Sequence, residues 1–316
     1  MDENIPALSE ILSKKALFDE YQKSVIWQSK GDDVVRRIMK FGKPYVRRFN
    51  DLPKNFLPSM MDQYLAVLWH KNGNRENVPC GQPWLYHSFI VVESIADDLY
   101  RCCAEDGMEF ILFSPAVTTG LTQENRHIFL TVLLNMDGWY MTYGPVLGWS
   151  GLGPDDFKYL AKNVAAQMYR NSGLSAVIQS NPFPFWASFI LAEIPPIYHK
   201  GKFSEWCTLA GRFRDGVLPV LPKTWEQEEK GNRIRWIYNK KDPLNKRCIY
   251  YNKKTGDALL VADNADSFKK TYKAAGTGFD DQNNEPEVAS IAMISYVGDV
   301  LKKNPEFFKL EKIFEP

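Results

Sequence analysis

Apolar positions along this chain recur first at helical and then at strand spacing, and the change falls near residue 75. Leu8, Ile11, Leu12, Phe18, Tyr21 and Val25 share one helical face ahead of Gly31, which predicts a helix over 6–28. Asp32 or Asp33 caps a predicted short helix ending near Gly42. Ser59 and Asp62 form a capping-box pattern for a third helix over about 59–71, stopped at Asn72-Gly73. β-branched runs then take over at 87–94, 108–113 and 127–134. Asp137-Gly138 turns the last of these into a partner strand over 139–143. A glycine-bearing loop, 144–153, leads to a helix from Pro154, where the missing proline N–H would be unpaired anyway. Phe157, Leu160, Val164 and Met168 face one side of it, and Gly173 ends it. A further strand pair is predicted within 174–194, and 195–230, rich in Pro, Gly and Lys, reads as a connector with one short helix.

Residues 246–275 carry the densest set of local signals. Ile249 and Tyr251 mark one strand, Leu259, Leu260 and Val261 the next, and Gly256 ends the turn between them. Asn264 is placed to cap a helix whose apolar face holds Phe268 and Tyr272. A polar loop over 276–286 and one or two helices follow. The predicted fold class is α+β: a helical N-terminal part over 1–75, a mainly antiparallel sheet with packed helices over 76–200, and a connector with a hairpin-helix unit over 201–316.

An internal echo links 64–95 with 159–194. Tyr64-Leu65-Ala66 recurs as Tyr159-Leu160-Ala161, and the run from Ser88 to Glu93 recurs from Ser188 to Glu193. A duplication would set Glu93 and Glu193 across a pseudo-two-fold axis as paired carboxylates for acid–base work. The alternative is that each simply emerges into water at a strand end.

Composition narrows the field. Lysine and arginine number 39 against 38 acidic residues, so net charge is +1 and no global field favours nucleic acid or an anionic membrane. The five cysteines are odd in number and no two have C-x-x-C spacing, which favours a reducing compartment over disulfides or zinc. The four histidines are scattered, and no metal or cofactor is predicted. The N-terminal segment lacks a basic and then apolar leader pattern, and no apolar run reaches the roughly 18 residues a membrane span needs, so the expectation is a cytoplasmic protein without membrane contact.

Catalytic motifs fit poorly. The 144–153 loop lacks a phosphate-binding lysine, and Asp155 and Asp156 would repel a phosphate there. Ser150 stands in a near nucleophile elbow, but Leu152 takes a glycine position and the triad order is wrong. Cys80 and His87 could suggest thiol chemistry, against the commoner fate of a buried cysteine. Two stretches, 36–54 and 230–254, interleave cations with aromatic rings, which suits single-stranded nucleic acid or an acidic protein partner. In the second stretch Trp236, Tyr238, Tyr250, Tyr251, Arg233 and Arg235 are the candidate partner-binding residues, since Trp, Tyr and Arg dominate binding hot spots. The first reading is thus a non-catalytic protein-binding module. The alternatives are an enzyme using Glu93 and Glu193 and a single-stranded nucleic acid binder.

Tyr250, Tyr251, Thr255, Gly256 and the run Ala265-Asp266-Ser267-Phe268 resemble the closing part of SUKH-type immunity domains, where an aromatic strand and a Thr-Gly turn lead into a helix. Upstream, Leu52-Pro53, Tyr64-Leu65 and Asn72-Gly73 are similar to that family's Leu-Pro motif and the helix after it, with Gly73-Asn74 in place of its Gly-Gly. The resemblance implies a fold that binds and neutralises a partner protein, typically a toxin.

Overall fold

The computed structural model describes residues 5, 7, 9–17, 20, 56–71, 85–124, 126–191, 198–199, 202–242 and 245–315. The chain is an α+β fold in two compact units, Met1–Glu193 and Ile194–Pro316.

In the first unit, residues 9–17 form helix α1 and Phe56–Lys71 form α2, so the helix expected from Ser59 starts one turn earlier. The short helix expected near 32–42 lies outside the described residues. Five strands close a barrel in the order β1 (Leu85–Ala96), β2 (Leu99–Ala104), β3 (Glu109–Phe113), β5 (Tyr140–Trp149), β4 (Ile128–Asn135). Every pairing is antiparallel except β3 with β5, where Leu112 faces Tyr140 and Phe113 faces Met141. Phe89, Cys102, Phe110, Leu112 and Phe129 fill one core of this unit. β4 is buried along almost its whole length, which explains an apolar run that only Thr131 interrupts. Residues 144–149, expected as a loop, instead continue β5, and an irregularity between Leu130 and Val132 absorbs the strand's Gly144 and Pro145.

α3 (Pro115–Glu124) follows β3, and α4 (Pro154–Ser180) lies against β1, bent where Ala165 and Gly173 leave helical geometry. Among the described residues the strand pair expected within 174–194 is absent, and the end of α4 and α5 (Pro182–Leu191) take that stretch up to Leu191. Pro182 and Pro184 suit a helical first turn, and Phe183, Phe185, Trp186 and Ala187 are buried there. Ser188 therefore lies on a helix, its hydroxyl donating to the Phe185 carbonyl oxygen, whereas Ser88 lies on a strand. The echo therefore holds in structure for the helices of Tyr64 and Tyr159 but not for the two runs that begin at Ser88 and Ser188.

The second unit is a twisted antiparallel sheet ordered β13 (Phe279–Asp280), β8 (Glu205–Phe213), β12 (Asp257–Ala262), β11 (Arg247–Asn252), β10 (Arg233–Tyr238), β9 (Trp225–Lys230), with β14 (Glu287–Ser290) also on β8. A separate two-stranded ladder joins β6 (Tyr198–His199) and β7 (Lys202–Phe203). The expected connector thus supplies β8, a central strand. Cys207, Leu209 and Phe213 alternate to one face of it. A Cβ at Gly211, between them, would lie 2.4 Å from the Asp280 carbonyl oxygen, so only glycine lets β13 pass this close.

The 246–275 segment folds into the strands, turn and capped helix that its signals predict, except that Tyr272 stands exposed while Ser267, Thr271 and Ala275 are the buried residues of the helix. Gly256 takes a φ of +79°, and its N–H donates to the Asn252 carbonyl oxygen at 2.8 Å. Asn264 caps α6 (Ala265–Ala275) by accepting the Ser267 N–H at 2.8 Å. α6 packs on β12, β11 and β8. The chain closes with α7 (Ile291–Val300) and α8 (Glu306–Phe314). Among the described residues no helix is long and apolar enough to cross a membrane.

Candidate partner-binding cleft

Strand alternation decides what each predicted anchor can touch. Ile234, Trp236, Ile249, Tyr251 and Leu260 point to the face that carries Phe268 and Ala275 of α6. Trp236 is 5% exposed, and its indole N–H donates to Gln227 Oε1 at 3.0 Å. Tyr251 meets Phe213 edge-on with ring centroids 5.6 Å apart. Half-buried Tyr238 sits beneath the Arg247 guanidinium, 3.2 Å from its ring centroid, and edge-on to Trp225. These aromatic residues build a core and its cation–π lid, which corrects the expectation that they stand exposed.

Arg233, Arg235 and Tyr250 alternate to the opposite face, where α8 lands. Tyr250 is 3% exposed and donates its hydroxyl proton to Glu311. Arg235, 8% exposed, pairs with Glu311 at 3.1 Å and with Glu228, and Phe314 lies 4.6 Å over its guanidinium. Lys246 reaches Glu311 at 3.2 Å. Burial pushes the Glu311 carboxyl up, but the Tyr250 hydroxyl, Lys246 and Arg235 outweigh it and hold it below its ordinary range. Burial also drives the Tyr250 hydroxyl well above its ordinary value. Lys240 bonds to Glu228, which with Arg235 overcomes burial and lowers that carboxyl too.

The expected basic face is thereby largely neutralised. Carboxylates of Glu228, Glu229 and Glu311, supplied by the neighbouring strand and by α8, take up Arg235, Lys240, Lys246 and Lys253. The other basic segment, 36–54, lies outside the described residues. Arg233 is different. It is half-buried, and among the described residues its guanidinium has no carboxylate partner.

Arg233 borders a cleft of about 370 Å³ between the sheet and α8. Tyr250, Asn252 and Leu259 line it from the strands, and Leu310 and Phe314 from α8. A turn with left-handed Gln282 and Asn283 supplies another wall, pinned where the Asn284 amide donates to the Ala210 carbonyl oxygen at 3.1 Å. Asp257 and Glu306, paired with Arg212 at 2.9 Å and Lys309 at 3.5 Å, also line the cleft. Of the predicted anchors, Arg233, Tyr250 and Tyr251 border this cleft, whereas Trp236, Tyr238 and Arg235 do not. Leu310 and Phe314 were not singled out from sequence. Their only signal was the spacing of Phe307, Leu310 and Phe314 on one helix face.

The other candidate chemistries are not brought together. Glu93 is exposed and pairs with Arg101 at 3.2 Å, and Glu193 lies outside the described residues, as does Cys80. His87 lies 3.6 Å from Glu105. Burial raises the thiols of Cys102 and Cys248 to about 12 each, leaving them unreactive. Among the described residues no group of three or more His, Cys, Asp or Glu side chains is placed to hold a metal ion. No protein-family model, curated protein or solved structure matches this chain.

Proposed function

We propose that this chain is a non-catalytic protein-binding module that takes a segment of a partner protein into the cleft beside α8, in the manner of an immunity protein neutralising its target. The observation that supports the reading is the Arg233 guanidinium, without a carboxylate partner among the described residues, on the border of a mainly apolar and amide-lined cleft whose two carboxylates, Asp257 and Glu306, are already paired with Arg212 and Lys309. A largely apolar cleft whose unpaired charge is a cation favours an acidic residue flanked by apolar neighbours, because a charge-assisted hydrogen bond is strongest where water is thinned out. The resemblance of 246–275 to SUKH-type immunity domains supports the same reading, since those residues include the strands beneath the cleft. The four described cysteines are free thiols, which suits a cytoplasmic site of action.

Affinity capture from native lysate at low and high salt tests the proposal, with wild-type chain beside an Arg233→Glu variant. One protein is expected in stoichiometric amount on the wild type, and at least about tenfold less on the variant, equivalent to ~1.4 kcal/mol. Equal capture by a folded variant overturns the assignment. So does retention of nucleic acid that high salt removes.

A further inference from the structure

Between β8 and β9 the chain runs Val217-Leu218-Pro219-Val220-Leu221-Pro222. Leu218 and Leu221 pack against the core beneath α6, whereas Val217 and Val220 face outward at 58% and 98% exposed. Burial that repeats every three residues belongs to neither a helix nor a strand. It is the repeat of polyproline II, which has three residues per turn and no internal hydrogen bonds. The two prolines suit it, since each fixes its own φ near about −65° and lacks an N–H. Val217, where the strap begins, is extended at φ −72° and ψ 98°, short of the polyproline II ψ. Among the described residues the strap is tied only at its ends, by the Val217 N–H to the Arg214 carbonyl oxygen and the Trp225 N–H to the Pro222 carbonyl oxygen, each at 2.9 Å.

A depression of about 540 Å³ lies between this strap and the C-terminal end of α6, bordered by Lys270 and Lys273. Lys223 follows the strap directly. All three lysines are exposed, and among the described residues none has a carboxylate partner.

We infer that Val217–Pro222 is a preformed recognition strap for a partner protein whose groove is lined by aromatic rings and rimmed by carboxylates. Polyproline segments dock in aromatic grooves because their conformation is set before binding, so little entropy is lost. Val220, almost fully exposed, offers the apolar contact, and Lys223, Lys270 and Lys273 give it a basic margin. The three uncompensated lysines choose the sign of the partner's rim and steer the encounter. The strap packs on the α6 face of the sheet, opposite the side on which α8 lands, so it stands independently of the cleft.

The test titrates the full ¹⁵N-labelled chain with purified polyproline-binding domains, one set with acidic and one with basic groove rims. Amide shifts confined to 217–224 and 270–278 are expected with acidic-rimmed grooves only, and at least tenfold weaker binding with Val220→Asp. That side chain is almost fully exposed, so the variant keeps the fold, which its unshifted spectrum elsewhere verifies. Three outcomes overturn the inference: no shifts with any groove at millimolar concentration, equal binding by the variant, or preference for basic rims. Strap shifts produced only by anionic lipid vesicles would overturn it as well.

Discussion

Trp236 and Tyr250 have the residue types of binding anchors and the surroundings of core residues. Trp236 packs among Ile234, Ile249 and Leu260, so Trp236→Ala should cost about 3–5 kcal/mol, read as a lowered urea midpoint. A surface anchor would leave that midpoint nearly unchanged. The sequence displays the alternation of Tyr250 and Tyr251 but not what arrives on each side. A ring is equally suited to a core and to a contact, and its fate here depends on α6 and on α8, which returns from 61 residues beyond Tyr250 to reach it. Arg233 was legible as a cation. Its solitude was not, because the carboxylates that neutralise its neighbours come from β9 and α8 rather than from its own stretch of chain.

At the scale of elements, legibility follows the range of the signal. The hairpin and helix of 246–275 were readable because turn, cap and alternation each act within a few residues. The Asn264 cap is directly testable. Asn264→Ala should lose roughly 1 kcal/mol in thermal or urea unfolding, and Asn264→Ser should restore most of it. β8 was missed because flanking Pro, Gly and Lys dilute its alternation in any averaged window. The tail of β5 is not legible because Gly144 and Pro145 signal a loop unless the strand itself bulges, as β5 does between Tyr143 and Leu147. α5 reads as a strand in the sequence since Phe189, Ile190 and Leu191 suit either element, and only the prolines ahead of them favour the helix.

At the scale of the molecule, Glu311 ties the last helix to the sheet. Its folded pKa lies below the ordinary 4.5, so the stability it provides is complete above that value and is lost as pH falls through the folded pKa. Wild type should therefore weaken on acidification below about pH 4.5, whereas Glu311→Gln lacks that component of the loss. At pH 7 the variant should already be about 1–3 kcal/mol less stable, because Arg235 and Lys246 lose a partner. Urea unfolding of both proteins at pH 7 and pH 4 separates the two effects. The two sheets also end differently. The barrel of the first unit has no free margin, but β9 leaves one on the second, and it carries Glu226, Glu228, Glu229 and Lys230. Another chain adding a strand there would have to lay its backbone beside a margin crowded with charged side chains, Glu228 and Glu229 among them held in ion pairs with Arg235, Lys240 and Lys253 that it would have to break, and the open margin is thereby shielded from fibrous association.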